Sequence, residues 1–185
     1  MFRMLLPVVA LLGATVANAA DLPTNTEMTA MYEADQAARQ VDKIDWAKLG
    51  PADESRRKRT RALLDAGELR SGTDYLHAAF IFQHGATASD ILLAHVLALA
   101  AMKRGRDDAS WIATATLDRY LQNIGQGQVF GTQFQCRSEG PTMEPYDPTL
   151  IPDSVREMMG VPVRAEQEMQ GQGLCGHATL NTPQK

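Results

Sequence analysis

Between Asp74 and Gln133 the chain keeps returning to apolar residues at three- and four-residue spacing, broken only by short polar turns. DYLHAAFIFQHG runs to a break at Gly85-Ala86-Thr87, ILLAHVLALAAMKRG follows, and a third periodic segment passes Trp111 and Tyr120 to Gly125. Such spacing predicts helices, and two helices joined by so short a link form an antiparallel hairpin. Gly105 is placed as the C′ residue of the second helix, with Lys103 and Arg104 complementing its dipole. No 34-residue repeat is visible, so the pattern predicts a bundle rather than a solenoid.

The flanks extend this plan. Residues 27–41 carry helical spacing. Gly50-Pro51 is expected to break helix on both sides, with a second helix over 52–66. After Gly125 the period changes: residues 128–136 alternate, Ser138-Glu139-Gly140-Pro141 supplies a turn, and 142–146 returns, which predicts one small β-hairpin. A short helix over 153–159 ends at Gly160, and beyond Ala165 the composition predicts a loose tail. The expected fold is therefore mainly α: an irregular helical bundle, containing a helical hairpin and further helices, with one small β-hairpin. Residues 27–166 form a single domain, preceded by a flexible leader (20–26) and followed by a loose C-terminal tail (167–185).

Met1 to Met4 carries one positive charge at Arg3, an apolar run follows to Val16, and Ala17-Asn18-Ala19 has small residues where signal peptidase reads. Residues 1–19 are expected to be a secretory signal peptide, the run being shorter than the roughly 20 residues a membrane span needs. The mature chain is expected to be periplasmic or secreted, with no membrane attachment after cleavage. Its formal charge of −4, made more negative by loss of Arg3, argues against nucleic acid as a partner, which calls for a basic face. About 166 residues remain, enough for one domain with a sizeable core.

The sequence holds two cysteines, Cys136 and Cys175. In an oxidising compartment a disulfide between them is the economical expectation, contributing about 4 kcal/mol in the chain-entropy model and pinning the C-terminal tail. Two free thiols are the alternative. Cys175-Gly176-His177 is too sparse for zinc, and no metal or cofactor is expected.

Polar residues set among the helices are the candidates for function. Asp35 and Arg39, four apart, share a face with Gln36 beside them, either as a surface ion pair or as part of a site. The basic run Arg56-Arg57-Lys58-Arg59 with Arg61 suggests an anion or membrane-surface patch, against the plainer expectation of a solvated face between Asp53, Glu54, Asp65 and Glu68. His77 and His84 are seven apart, with Asp74 three before His77, a layout that could assemble imidazoles and a carboxylate for metal binding or acid-base work. His95 lies on the apolar stripe of its helix, where a buried histidine satisfied by a carbonyl is expected.

His84, ending its helix beside Gln83 and Gly85, is better placed to reach a cleft. Asp118 follows Trp111 by seven positions and is expected on the same packed face. It either orients His84, as carboxylates do in catalytic dyads, or forms a buried structural link. Arg119 or the turn holding Gln128, Thr132 and Gln133 could stabilise developing negative charge. The glycines of that turn miss the dinucleotide spacing and no lysine follows as in a P-loop. It is thus a polar, backbone-rich turn suited to a carboxylate, an amide or a sugar.

Taken in order, Asp35-Gln36 with Arg39, Gln83-His84-Gly85, Asp118-Arg119, and Gln128 with Gly131-Thr132-Gln133 resemble a bacterial family known as domain of unknown function 6624. The likeness continues through Pro145 to Pro152 and Arg156 with Met159-Gly160-Val161, covering about 27–166. Phe130 stands where a tyrosine commonly precedes the Gly-Thr-Gln of that family. The resemblance implies a mainly helical domain with these polar residues gathered together and brings no activity. Three functions are compatible with the residues: binding of a small polar or peptide ligand at the polar cluster, a hydrolase with His84 as general base and Asp118 and Arg119 assisting, or a structural or interaction module.

Overall fold

The computed structural model describes residues 22–178, with side chains to residue 173. The expected signal peptide, its cleavage site, the side chain of Cys175 and the last seven residues lie outside the described residues. Seven helices and one two-stranded hairpin follow in order: α1 (Thr26–Ala37), α2 (Trp46–Asp65), α3 (Gly72–Phe82), α4 (Ala88–Lys103), α5 (Ser110–Asn123), β1 (Gln135–Arg137), β2 (Gly140–Thr142), α6 (Asp153–Met158) and α7 (Arg164–Ala178). The fold is mainly α with a single small antiparallel hairpin, as the periodicity predicts. No described helix is long and apolar enough to cross a membrane.

Local chemistry sets the helix starts. Asn25 accepts from Met28 N to begin α1, so the end of the expected leader is ordered. Ser71 with Asp74, and Thr87 with Asp90, form capping boxes on α3 and α4, each box satisfying two backbone donors that a helix start leaves unpaired. At the far end of α4, Gly105 takes φ +84°, the left-handed C′ conformation its position calls for.

The core lies where α3, α4 and α5 stack and α1 covers α3. Ala78, Ala79, Ala94, Ala98, Ala101 and Ala113 are all buried, and their small side chains let the helices approach closely, while Met28, Leu63, Ile81, Phe82, Leu97 and Ile112 fill the spaces between. Each of these larger side chains contributes about 1.5–3 kcal/mol by leaving water.

Three expectations are corrected. Pro51 does not break the chain: α2 begins at Trp46, capped by Asp45 accepting from Lys48 N, and carries Pro51 in its second turn. The hydrogen bond that proline removes would have gone to Ala47, which is exposed so that water can replace it. The hairpin is shorter than its alternation suggests, spanning 135–142 with Gln135 opposite Thr142. Gln128 makes an isolated bridge with Tyr146, and residues 129–133 belong to no strand because side chains take up backbone N–H groups of Val129, Phe130, Thr132 and Gln133. The tail is not loose over its first part, where α7 runs to Ala178, with Gln167 buried and Gly171 against Phe134, close enough that a β-carbon would come within 2.6 Å of the ring.

Candidate functional site

Two arginines define how α3 ends. The last carbonyls of a helix lack intrahelical partners and form the negative end of its dipole. Here Arg119 of α5 donates from Nη1 to the Gln83 carbonyl at 2.9 Å, and Arg57 of α2 donates from Nη1 to the His84 carbonyl at 3.0 Å. These bonds hold His84 at the junction of α1, α2 and α3. Arg119 also donates from Nε to Gln133 Oε1 at 3.0 Å, so the turn after α5 is tied to the same place.

Around His84 is a ring of charged groups. Asp35, 1% exposed, accepts from Arg39 Nη1 at 2.7 Å on one oxygen and from Gln36 Nε2 at 2.9 Å on the other. Arg39 reaches on to Asp53 at 2.7 Å, Asp53 accepts from Arg56 at 2.6 Å, and Arg56 Nε stands 3.4 Å from Asp35 Oδ1, closing the ring. His84 Nε2 lies 3.6 Å from Asp35 Oδ2. His84 Nε2 and Arg56 Nε are both buried without a hydrogen-bond partner. The side chains of His84, Arg39 and Arg56 nevertheless keep 22%, 17% and 13% of their surface. With Nε2 covered, it is the rest of the imidazole that meets solvent.

Burial raises the Asp35 carboxyl above its usual range, with Arg39 and Arg56 pulling the other way. Asp53 is less deeply set. Burial pushes it upward too, but hydrogen bonds from Arg56 and Arg39 outweigh this and leave it lowered. His84 is pushed down to about 4, chiefly by burial and then by the Arg39 charge, against the opposing pull of Asp53. At neutral pH its imidazole is uncharged. Burial also lowers Arg119, whose two hydrogen bonds above go to neutral oxygens.

A second network organises the turn after α5. Asp118, fully buried, accepts on Oδ1 from Val129 N at 2.7 Å and Phe130 N at 3.0 Å, and on Oδ2 from Thr132 N at 2.9 Å and Thr132 Oγ1 at 2.8 Å. Gln128 donates from Nε2 to the Gln133 and Met143 carbonyls and accepts from Gln133 N. Gly131 turns the chain with φ +70°, its α-carbon so near Met143 and Tyr146 that a side chain would crowd both. Arg156, 1% exposed, donates to the Phe130 carbonyl at 2.6 Å, to Gln167 Oε1 at 3.2 Å and to the Tyr146 hydroxyl. Gln167 in turn donates to the Phe130 and Gly131 carbonyls.

The residues singled out from sequence therefore fall into two groups. Asp35, Gln36, Arg39, Gln83, His84 and Arg119 meet at the ring, while Asp118, Gln128, Thr132 and Gln133 knit the turn, joined to the ring through Arg119. Asp118 does not orient His84, since its oxygens are occupied by the turn's donors; the carboxylate facing the imidazole is Asp35. Nor does Asp118 share a packed face with Trp111, which is 47% exposed. Asp74 is a helix cap, bonded also by Asn25 N and Arg70 N. His77 stacks on Tyr32 at 4.1 Å, and His95 Nδ1 meets the Ala113 carbonyl at 2.9 Å, the carbonyl-satisfied core position expected for it. The three histidines thus serve different places, and no cluster of three metal-ligating side chains exists among the described residues.

The basic run of α2 divides. Arg56 and Arg57 turn inward, whereas Lys58 pairs with Glu54, Arg59 with Glu27, and Arg61 lies over the Phe82 ring. Asp53, Tyr146 and Gln167 carry no site role on sequence alone, and Arg56 and Arg57 enter there only as part of the anion or membrane-surface patch. The i, i+3, i+4 spacing of Asp53, Arg56 and Arg57 was the available signal, hidden inside a longer run of charge. No family model, no curated protein and no solved structure matches the chain.

Proposed function

We propose that this is an exported domain that binds a small polar ligand carrying a carboxylate, free or at a peptide end, on the ring around His84. The observation behind this reading is an imbalance of donors. Arg39 and Arg56 engage the two carboxylates, Asp35 and Asp53, while Arg119 brings a third positive charge to His84. Arg119 meets neutral oxygens, and two polar nitrogens, on His84 and Arg56, are buried without a partner. Unpaired buried polar groups are costly and mark a site that is not fully satisfied, and the surface that His84, Arg39 and Arg56 keep toward solvent is where an incoming anion takes charge-assisted hydrogen bonds.

A hydrolase reading draws on the juxtaposition of His84 and Asp35 and would use His84 as base with Arg119 stabilising negative charge. A base with a pKa of about 4 is weak at neutral pH, so binding is preferred. Kinship with domain of unknown function 6624, through the residues gathered here, and pairing of Cys136 with Cys175 after export belong to the same proposal. A mass increase of two hydrogens on reduction tests the pairing.

The test of binding is a thermal-shift screen of the mature chain against acetate, succinate, dipeptides, neutral sugars, nucleotides and metal ions, with His84→Ala and Arg119→Gln in parallel. Saturating ligand at a hundredfold over Kd stabilises by about 2.7 kcal/mol, a shift of several degrees. Carboxylates are expected to stabilise the unmutated protein and to lose their effect in both variants. Indifference to every carboxylate, or an undiminished response in both variants, overturns the proposal.

A further inference from the structure

We infer that the ligand is an amphiphilic monocarboxylate whose head lies on the Arg39–Arg56 side of the ring and whose apolar body fills the groove beside it; this rests on the binding reading above. The groove runs between the end of α1 and the first turns of α2, encloses about 320 Å³, and is walled by Ala38, Val41, Ile44, Leu49 and Ala52 with Arg56 among its lining. Arg56 thus belongs to groove and ring alike, and its Nε is one of the ring's two unpartnered buried nitrogens. Arg39 follows Ala38 directly in sequence.

Charge selects the head group. Lys48 at the rim is paired with Asp45 at 3.3 Å and Arg56 with Asp53 at 2.6 Å; with those pairs cancelled, the charge left in the lining is the cation of Lys43. An apolar cation would meet the Lys43 charge there, and a doubly charged anion would leave one carboxylate over the apolar wall. Val41 at 50% exposure and Trp46 at 69% leave apolar surface in water around the groove. An aliphatic or aromatic body of about eight carbons would cover it, each added methylene strengthening binding about fourfold when fully buried.

Trp46 opens α2, next to groove residues Asp45 and Lys48, and is one of two tryptophans in the chain. Its fluorescence in a Trp111→Phe background supplies the measurement. The probes are octanoate, butyrate, octanol and octylamine, each below its aggregation concentration, with folding of every variant checked by circular dichroism. Octanoate is expected to change Trp46 emission and to bind at least thirtyfold tighter than butyrate, roughly the least that four partly buried methylenes provide, while octylamine does not bind. Ala52→Phe, which fills the groove one helical turn from Arg56, should weaken octanoate tenfold or more and butyrate far less. Arg56→Gln should weaken both. Octanoate and butyrate binding alike, octylamine binding as well as octanoate, or octanoate unaffected by Ala52→Phe would overturn the inference while carboxylate binding at the ring stands. Failure of both carboxylates would remove the ring as a site and the groove's role with it.

Discussion

His84 Nε2 and Asp35 Oδ2 stand 3.6 Å apart at the meeting of α1 and α3, with burial pushing the imidazole down to about 4 and the carboxyl up. A neutral imidazole and a carboxylate this close, walled by arginines, make the stability of the fold dependent on pH through two opposed contributions. An unfolded histidine titrates near 6.5, so between that value and about 4 the unfolded chain holds the extra proton, and stability from His84 falls as pH drops through this window. Asp35 acts the other way. Its raised value lets the folded state take a proton first, adding stability on acidification above 3.8.

Denaturant midpoints measured from pH 7 to 4.5 should therefore fall in the unmutated protein, with the His84 share on the order of 3 kcal/mol. His84→Gln should flatten the curve, and Asp35→Asn in the same background should remove the residual opposing slope. NMR titration should find the His84 imidazole neutral at pH 5.5, and a midpoint near 6.5 would contradict the burial argument.

Asp118 holds four donors of the turn at once, two through each oxygen. Replacing it by alanine leaves three buried or half-buried backbone N–H groups without their acceptor, at a cost of about 3–5 kcal/mol. Asp118→Asn should cost less, because one oxygen remains. Hydrogen exchange at Val129, Phe130 and Thr132 is the direct reporter and should accelerate in both variants. Protection unchanged in the alanine variant would mean that the turn is held from elsewhere.

Arg156 is the largest fully buried side chain among the described residues, with its guanidinium shared among the Phe130 carbonyl, Gln167 and Tyr146. Arg156→Lys keeps the charge but loses the planar fork that serves several acceptors, so it should destabilise nearly as much as Arg156→Met, by about 2–4 kcal/mol. Tyr146→Phe, removing a single partner, should cost about 1 kcal/mol. Urea unfolding of the three variants gives the order, and a lysine variant as stable as the wild type would sink the geometric claim.

Gly85 is required by close approach, since a β-carbon there would lie 2.1 Å from Asp90 Cβ in the first turn of α4. Gly85→Ala should force the α3–α4 turn open, lowering the melting temperature by roughly 5–10 °C for an overpacking cost of about 1–3 kcal/mol. It should also weaken any carboxylate bound at the ring, because His84 and its carbonyl move with the turn. Gly50→Ala, inside α2 at a site where nothing lies within 4 Å, is the control: it should leave binding in place and raise the melting temperature slightly, because alanine favours helix over glycine.

What the sequence by itself determined is local. Helical spacing and the glycine at 105 place α4 and its end, and the residues gathered around the ring and the turn are largely those the sequence singles out. These features depend on neighbours within a few positions, where backbone hydrogen bonds and side-chain caps are set by residue type. Only the tertiary structure decided who pairs with whom. That Arg39 reaches Asp53 across 14 positions, Arg119 reaches Gln83 across 36 and Asp35 faces His84 depends on the rotation of each helix about its axis. Spacing along one helix leaves that rotation relative to its neighbours open, and packing of the small-residue core fixes it. Pro51 inside α2, the loss of strand in 129–132 to the Asp118 carboxylate, and α7 in place of a loose tail have the same origin: long-range packing and distant side-chain acceptors outweigh local preference.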